Sequence, residues 1–259
     1  MAYVGNRGYD LLQFREMNQP IFVAGQTTAA TKDRFRPFPG FSSVLRSTNW
    51  GKSEYNGLET TVQRRFSNGI GFQASYTLSG SKDYSSHFHS GATSRVYVMT
   101  PQDDADIPAE WAYSDHDARH RLVISEVFEL PFGPGKRWLS SGVIGNVLGN
   151  WTLASIWTWQ SGFPYNVFDG SDRCLTAGNY TPTCRPNLVG DPELSSDERS
   201  PSQWFNTGAF VRADVGQFGD APRNSIRGPG LVNTDLSIIK RVSLDGVRRG
   251  LALDFRAEA

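Results

Sequence analysis

The chain has 259 residues, with 26 Lys+Arg against 26 Asp+Glu and a mean hydropathy of -0.42. Zero net charge leaves no basic footprint for nucleic acid and no acidic tail, and no apolar run approaches the ~18 residues of a membrane helix. A membrane barrel stays compatible with these values, because a spanning strand gives half its residues to a polar interior and its average hydropathy reads as soluble.

In chain order, Ala2-Tyr3-Val4-Gly5 reads as the end of a strand and not as a charged, then apolar, signal segment. Asn6-Arg7-Gly8 reads as a turn into a short strand over 9–14. A segment punctuated by Pro20, Pro37 and Pro39 then leads to another short strand over 41–46 and a turn at Asn49-Trp50-Gly51.

The most informative stretch is a predicted hairpin, residues 55–66 and 70–81, joined by Ser67-Asn68-Gly69. Leu58, Thr60, Val62 and Phe66 fall on one face, and Glu59, Thr61, Gln63 and Arg65 on the other. In the second strand Ile70, Phe72, Ala74, Tyr76 and Leu78 oppose Gly71, Gln73, Ser75, Thr77 and Ser79. Twelve residues each is long for a soluble strand, usually about 5–6, and enough for a bilayer-crossing one, about 9–11.

Further strands are expected over 119–130, 150–160, 232–242 and 251–259. Pro131-Phe132-Gly133-Pro134-Gly135 turns the chain between the first two, and an Asp245-Gly246 turn precedes the last. The 150–160 strand places Trp151, Leu153, Trp157 and Trp159 on one face, so that Tyr76, Trp151, Trp157 and Trp159 are candidates for a membrane-interface aromatic girdle; a buried sandwich core would also accept the tryptophans. Val232, Thr234, Leu236, Ile238 and Val242 oppose Asn233, Asp235, Ser237 and Arg241 in the penultimate strand.

Connections at 67–69, 131–149 and 243–250 are short, whereas 82–118 and 161–229 are long. Long structureless loops are unusual in a compact soluble domain but belong to the extracellular rim of an outer-membrane barrel, with short turns at the periplasmic rim. The fold expected is therefore all-β, a partial antiparallel transmembrane β-barrel with long extracellular loops, over residues 1–259. The strand parity of the first 54 residues does not fit this scheme. Glu59, Gln63, Arg65, Asn233 and Asp235 are the expected lumen-facing residues, with outer-membrane lipid as the partner of the other face.

All four histidines, His87, His89, His116 and His120, lie within 34 residues, and Asp115 and Asp117 flank His116. These six are the candidate ligand-binding residues. Imidazoles and a carboxylate could hold zinc or another transition metal, or contact a metal chelate, the alternative being ordinary loop polarity with His120 held by a structural hydrogen bond. The run from Val96 to Ala118 has no Lys or Arg but gathers Asp103, Asp104, Asp106, Glu110, Asp115 and Asp117. Such a run suits Ca²⁺, a cationic ligand or a merely solvated loop, and it has no EF-hand spacing. Cys174 and Cys184 are expected to form a disulfide in an oxidising compartment, the alternative being two free thiols. No hydrolase elbow, zinc-protease motif or phosphate-binding loop occurs, so neither an enzyme nor a resident metal or cofactor is expected.

Several segments also occur together in a familiar order: Tyr3-Val4-Gly5-Asn6-Arg7-Gly8, Tyr55-Asn56-Gly57-Leu58, Gln63-Arg64-Arg65-Phe66, Ala74-Ser75-Tyr76-Thr77, Arg119-His120-Arg121 and Glu129-Leu130-Pro131-Phe132-Gly133. Trp159-Gln160-Ser161-Gly162-Phe163-Pro164, Arg185-Pro186-Asn187-Leu188-Val189-Gly190, Trp204-Phe205-Asn206-Thr207, Arg227-Gly228-Pro229-Gly230 and Asp235-Leu236-Ser237 continue it. With these the chain resembles the C-terminal barrel region of Oar-like TonB-dependent receptors. The resemblance implies an outer-membrane barrel of roughly 22 strands, an N-terminal plug and energisation by TonB, for ligands such as siderophores, cobalamin, glycans or peptides. Against that pattern the chain is expected to be a fragment, without plug, TonB-contacting segment, early strands or closing strands, so that TonB and plug are partners only of the parent protein. The rival expectations are an adhesion or structural barrel without transport, and a soluble carbohydrate-binding β-sandwich.

Overall fold

The computed structural model describes residues 1–86, 100–176, 184–244 and 247–259. Its strands in chain order are β1 (Ala2–Glu16), β2 (Leu45–Ser67), β3 (Ile70–Asp83), β4 (Ala112–Tyr113), β5 (His120–Glu129), β6 (Trp151–Gln160), β7 (Pro164–Tyr165), β8 (Asn187–Leu188), β9 (Phe210–Val211), β10 (Ile226–Arg227), β11 (Leu231–Ser243) and β12 (Ala252–Glu258). One helix, α1 (Gly142–Leu148), lies between β5 and β6. The long strands form one antiparallel sheet in the order β1-β2-β3-β5-β6-β11-β12, with β4 pairing β3 beyond the point where β5 stops. β1 and β12 are its edges, and the sheet is open. β7 pairs β10 and β8 pairs β9 within the long connection before β11.

The β2–β3 hairpin sets the register of the rest. Asn68 and Gly69 both have positive φ, 54° and 80°, as a two-residue type I′ turn requires. Ser67 therefore faces Ile70, and after one bulge the ladder runs from Arg64↔Phe72 to Ser53↔Asp83. The Glu129 amide donates to the Gly69 carbonyl at 2.7 Å, so the turn also fixes the end of β5.

The first 54 residues differ from the sequence expectation. Asn6-Arg7-Gly8 lies inside β1 and Asn49-Trp50-Gly51 inside β2, which is a single strand of 23 residues. Between Gly8↔Ser53 and Leu11↔Gly51 the extra residue is on β1, where Asp10 has φ 54°; between Leu11↔Gly51 and Gln13↔Thr48 it is on β2. The two bulges offset one another and the pairing resumes. Bulges draw on the same Gly and Asx residues as turns, which is why the motifs read as turns. At Gly51 a Cβ would lie 2.7 Å from the Leu11 carbonyl oxygen, a clash that excludes any larger residue. The strand parity follows: β1 leads to residues 17–44, a third long connection at the same end as 84–119 and 161–230, and β2 returns.

At the other end, the 130–150 connection is more than a turn. Lys240 Nζ donates to the Asn146 carbonyl at 2.7 Å and to that of Gly149, capping the C-terminus of α1, while Trp151 Nε1 donates to Val147 O at 3.1 Å. Val143, Ile144, Val147 and Leu148 of this helix are exposed. The Asp245-Gly246 turn lies outside the described residues.

Burial is inverted relative to a soluble domain. Leu58, Val62, Phe128, Leu153, Trp157, Trp159, Leu236, Ile238 and Phe255 of the sheet are exposed, whereas Asn18, Asp83, Gln102, Glu110, Ser114, Asp117, Arg185 and Arg223 are buried. The sheet thus has no core of its own, and the packed interior sits among the connections at the long-loop end. Gly69→Val places a β-branched residue at φ 80° with its Cβ 3.2 Å from Glu129 O. It is expected to destabilise the hairpin by about 1–3 kcal/mol, read as a lower urea midpoint of the heat-dependent gel-mobility transition in detergent.

Candidate functional site

Three connections meet at the long-loop end, and ion pairs, most of them from arginine, tie them together. Residues 100–119 supply the acids. Arg15 of β1 forks onto Asp104, Nε to Oδ1 and Nη2 to Oδ2, both at 2.8 Å. Arg185 Nη1 contacts both Glu110 oxygens, at 3.0 and 2.9 Å, with both side chains buried. Arg223 reaches Asp83, donates to Asp115 Oδ1 at 3.2 Å and to the Glu110 carbonyl at 3.2 Å, while Arg227 pairs with Asp117. Lys32 pairs with Asp172 at 2.5 Å and so joins the first connection to the third.

Neutral donors complete the set. Gln102 accepts from the Arg185 amide at 2.6 Å, and its Nε2 donates to the Gly219 carbonyl at 2.9 Å. Its own amide donates to Glu110 Oε1 at 2.9 Å. Asn224 Nδ2 donates to Asp115 Oδ1 at 2.6 Å and to Tyr113 O at 2.7 Å. A carboxylate removed from water is tolerable only when it is paired and its remaining lone pairs are used, and Glu110 meets both conditions. The acidic run therefore meets arginines of the same chain: Asp104, Glu110, Asp115 and Asp117 each have one.

The sequence-predicted residues distribute as follows. His87 and His89 lie outside the described residues. His116 is exposed. His120 opens β5, opposite Leu78, and its Nδ1 shares a 2.7 Å hydrogen bond with Tyr76 Oη. Asp115 and Asp117 belong to the arginine network, Asp117 also accepting from the Ser81 amide at 2.6 Å. Cys174 and Cys184 form a disulfide with Cα atoms 5.9 Å apart; Asp172 lies beside it, but sulfurs bonded to each other offer no thiolate to a metal. Glu110 is marked in the sequence as part of the acidic run but without its partner, and Arg185, Arg223, Asp83 and Gln102 are not legible as site residues, since these pairings span 75 to 140 positions. Their one signal is the absence of cations near the acids, which requires the counter-charges to come from elsewhere in the chain.

The register sorts the wall into two faces. Glu59↔Thr77↔Arg121↔Gln160 and Gln63↔Gln73↔Ser125↔Ile156↔Asp235 are rows of one face, which also carries Asn233. Arg65 sits in the bulge between Arg64 and Ser67, where strict alternation stops. Tyr76↔Leu122↔Trp159↔Val232 and Ala74↔Ile124↔Trp157↔Thr234 belong to the opposite face, with Trp151 at its other end beside Lys240, whose Nζ is 5.5 Å from the ring centre. From Trp151 to Trp159 the strand advances about 26 Å, or roughly 20 Å along the barrel axis at the usual ~40° tilt. A carboxylate lies in the middle of this apolar face. Glu126 accepts from Ser155 Oγ at 2.8 Å, and Ser155 in turn accepts from Trp157 Nε1 at 2.9 Å.

An open antiparallel wall with one apolar and one largely polar face, exposed on both, and with its three longest connections at one end, is the wall of a transmembrane β-barrel. The family model for an outer membrane beta barrel domain matches residues 1–259, and the chain belongs to that family. Its place is the outer membrane. No curated protein and no solved structure matches the chain.

Arg185→Met leaves Glu110 charged and buried without its partner, at an expected cost of about 3–5 kcal/mol to the loop assembly. Glu110→Gln combined with Arg185→Met is expected to recover most of it. Rates of chymotryptic cleavage in the loops, measured alongside urea unfolding, check the order of the two variants.

Proposed function

We propose that this chain forms part of the wall and outer loop assembly of a TonB-dependent outer-membrane receptor that takes up a small ligand such as a siderophore, a glycan or a peptide. The observation that carries the reading is the asymmetry of the two ends. One end has a two-residue hairpin turn at Asn68-Gly69 and the shorter connection that carries α1, while the other holds loops from the three longest connections in one ion-paired body. Pre-organised loops lose less entropy on meeting a ligand than mobile ones, which suits capture at the cell surface. The ordered motif set shared with Oar-like receptors points the same way.

In this reading the apolar face, with Tyr76, Trp151, Trp157 and Trp159, meets lipid, and Glu59, Gln63, Arg65, Asn233 and Asp235 face the lumen. Exposed His116 is a ligand-side group of the loop body, while His120, bonded to Tyr76, serves the wall. Plug and TonB act on the complete barrel. A β-sandwich would need a second sheet packed against the first; among the described residues the long strands lie in one sheet. An adhesion barrel would present the same loops without energy-dependent uptake.

Two measurements test this. Cells producing the complete protein are offered a ferric hydroxamate, a maltodextrin and an oligopeptide before and after collapse of the proton-motive force. Accumulation of one of them, lost on collapse, is expected, whereas binding without accumulation selects adhesion. Separately, in vesicles with brominated acyl chains, a variant retaining only Trp157 is expected to lose at least about half its fluorescence. A variant retaining only Trp204, whose Nε1 donates to Arg227 O in the loop body, is expected to keep nearly all of it. Equal quenching would overturn the assignment of faces.

A further inference from the structure

Along β3 the apolar face ends in a cationic cleft. From Ile70 to Lys82 the strand advances about 40 Å, or about 30 Å on the barrel axis at a ~40° tilt. The hydrocarbon core is about 30 Å thick. With Ile70 at the turn-side edge of the apolar face, Lys82 stands where hydrocarbon gives way to the headgroup layer on the loop side.

A cleft of about 470 Å³ opens there, its lining including Leu58 and Leu78 below, Lys82, Arg119, Trp111 and Tyr113 above, and one carboxylate, Glu54, across the ladder from Lys82. Leu58 and Leu78 are cross-strand partners, both exposed. Tyr113 pairs with Lys82 across β4 and β3, and its ring is flanked by Lys82 Nζ at 5.0 Å and the Arg119 guanidinium carbon at 4.9 Å. Gly80 makes room for the second cation: a Cβ there would lie 3.3 Å from Arg119 Nη1. Arg119 Nη2 donates to Tyr113 Oη at 2.5 Å, leaving other N–H groups of the fork for a ligand.

The charge balance around the cleft is positive. Among the described residues neither Lys82 nor Arg119 has a carboxylate within salt-bridge distance, whereas every acid nearby is engaged. Glu54 receives Asn56 Nδ2 at 2.9 Å and Arg7 at 3.5 Å, and Asp117 holds Arg227, the third cation at the Tyr113 ring. Lys52 adds a further positive charge over the Trp111 ring at 4.9 Å. Among the described residues these two cations form no salt bridge, and on an aromatic platform above paired leucines they fit a ligand that joins an acyl chain to a phosphate.

We propose that Lys82 and Arg119 hold the phosphate of an outer-leaflet lipid, whose acyl chain lies along Leu58 and Leu78. This rests on the apolar face being the lipid face, and the Trp157 quenching experiment tests that separately. If quenching succeeds and lipid retention fails, only the lipid site is lost.

The test uses the protein extracted from the outer membrane in detergent and native mass spectrometry. The probes are phosphatidic acid, diacylglycerol of the same chain length, and inorganic phosphate as competitor. Phosphatidic acid is expected to be retained and diacylglycerol not, with no displacement by inorganic phosphate at equal concentration. The variant carrying Lys82→Gln and Arg119→Gln is expected to weaken retention roughly tenfold or more, and Arg121→Gln, on the opposite face, to leave it unchanged. Should the double variant lose its heat-dependent gel shift, Lys82→Gln alone is read, since Lys82 is exposed; a loss of about threefold or more is expected. Equal retention of diacylglycerol, unchanged retention in the folded variant, equal loss with Arg121→Gln, or displacement by inorganic phosphate would each overturn the proposal, the last by assigning the cleft to a free anion.

Discussion

Everything in this molecule depends on the backbone ladder that joins β1 to β12. Lipid offers no hydrogen bonds, so each amide and carbonyl in the spanning region must find its partner on a neighbouring strand. Antiparallel meander pairing does this with short turns at one end, and it frees both faces of the sheet from any packing duty. One face can then be apolar and the other polar. That is why a chain of average composition exposes Leu153, Trp157 and Ile238 while burying Arg185 and Glu110.

The loop body solves a different problem. Among the described residues of these connections few apolar side chains are buried, including Leu175, Ala209, Ala213, Ala221 and the Cys174–Cys184 pair. Arginine supplies what a hydrophobic core would otherwise supply. One guanidinium carries five donors in a rigid fork, so Arg223 alone links Asp83, Asp115 and the Glu110 carbonyl. Such bonds contribute geometry more than net stability, because burying the ions offsets much of their attraction.

The polar residues on the apolar face are accommodated locally. Lys240 reaches the carbonyls that end α1 and lies beside Trp151, so its charge serves a helix terminus. Glu126 is steadied by Ser155, and Ser155 by Trp157, within one stretch of apolar wall. In each case the neighbour that makes the polar group tolerable is on an adjacent strand or connection, brought there by register.

The sequence by itself determined the all-β class, the length of the spanning strands and the alternation of their faces. Those properties repeat every second residue, and the Asn68-Gly69 turn fixes a register within a few positions. It also marked the acids of the 103–117 run without indicating their partners. Only the tertiary structure decided that Gly8 and Gly51 accompany bulges and not turns, because a bulge is defined by the strand across from it. Only the tertiary structure brought Arg185 to Glu110 and Arg119 over Gly80. The reason is physical: an ion pair between residues 75 positions apart leaves no local period in the chain, and it exists only once the ladder has placed the two loops at the same end of the wall.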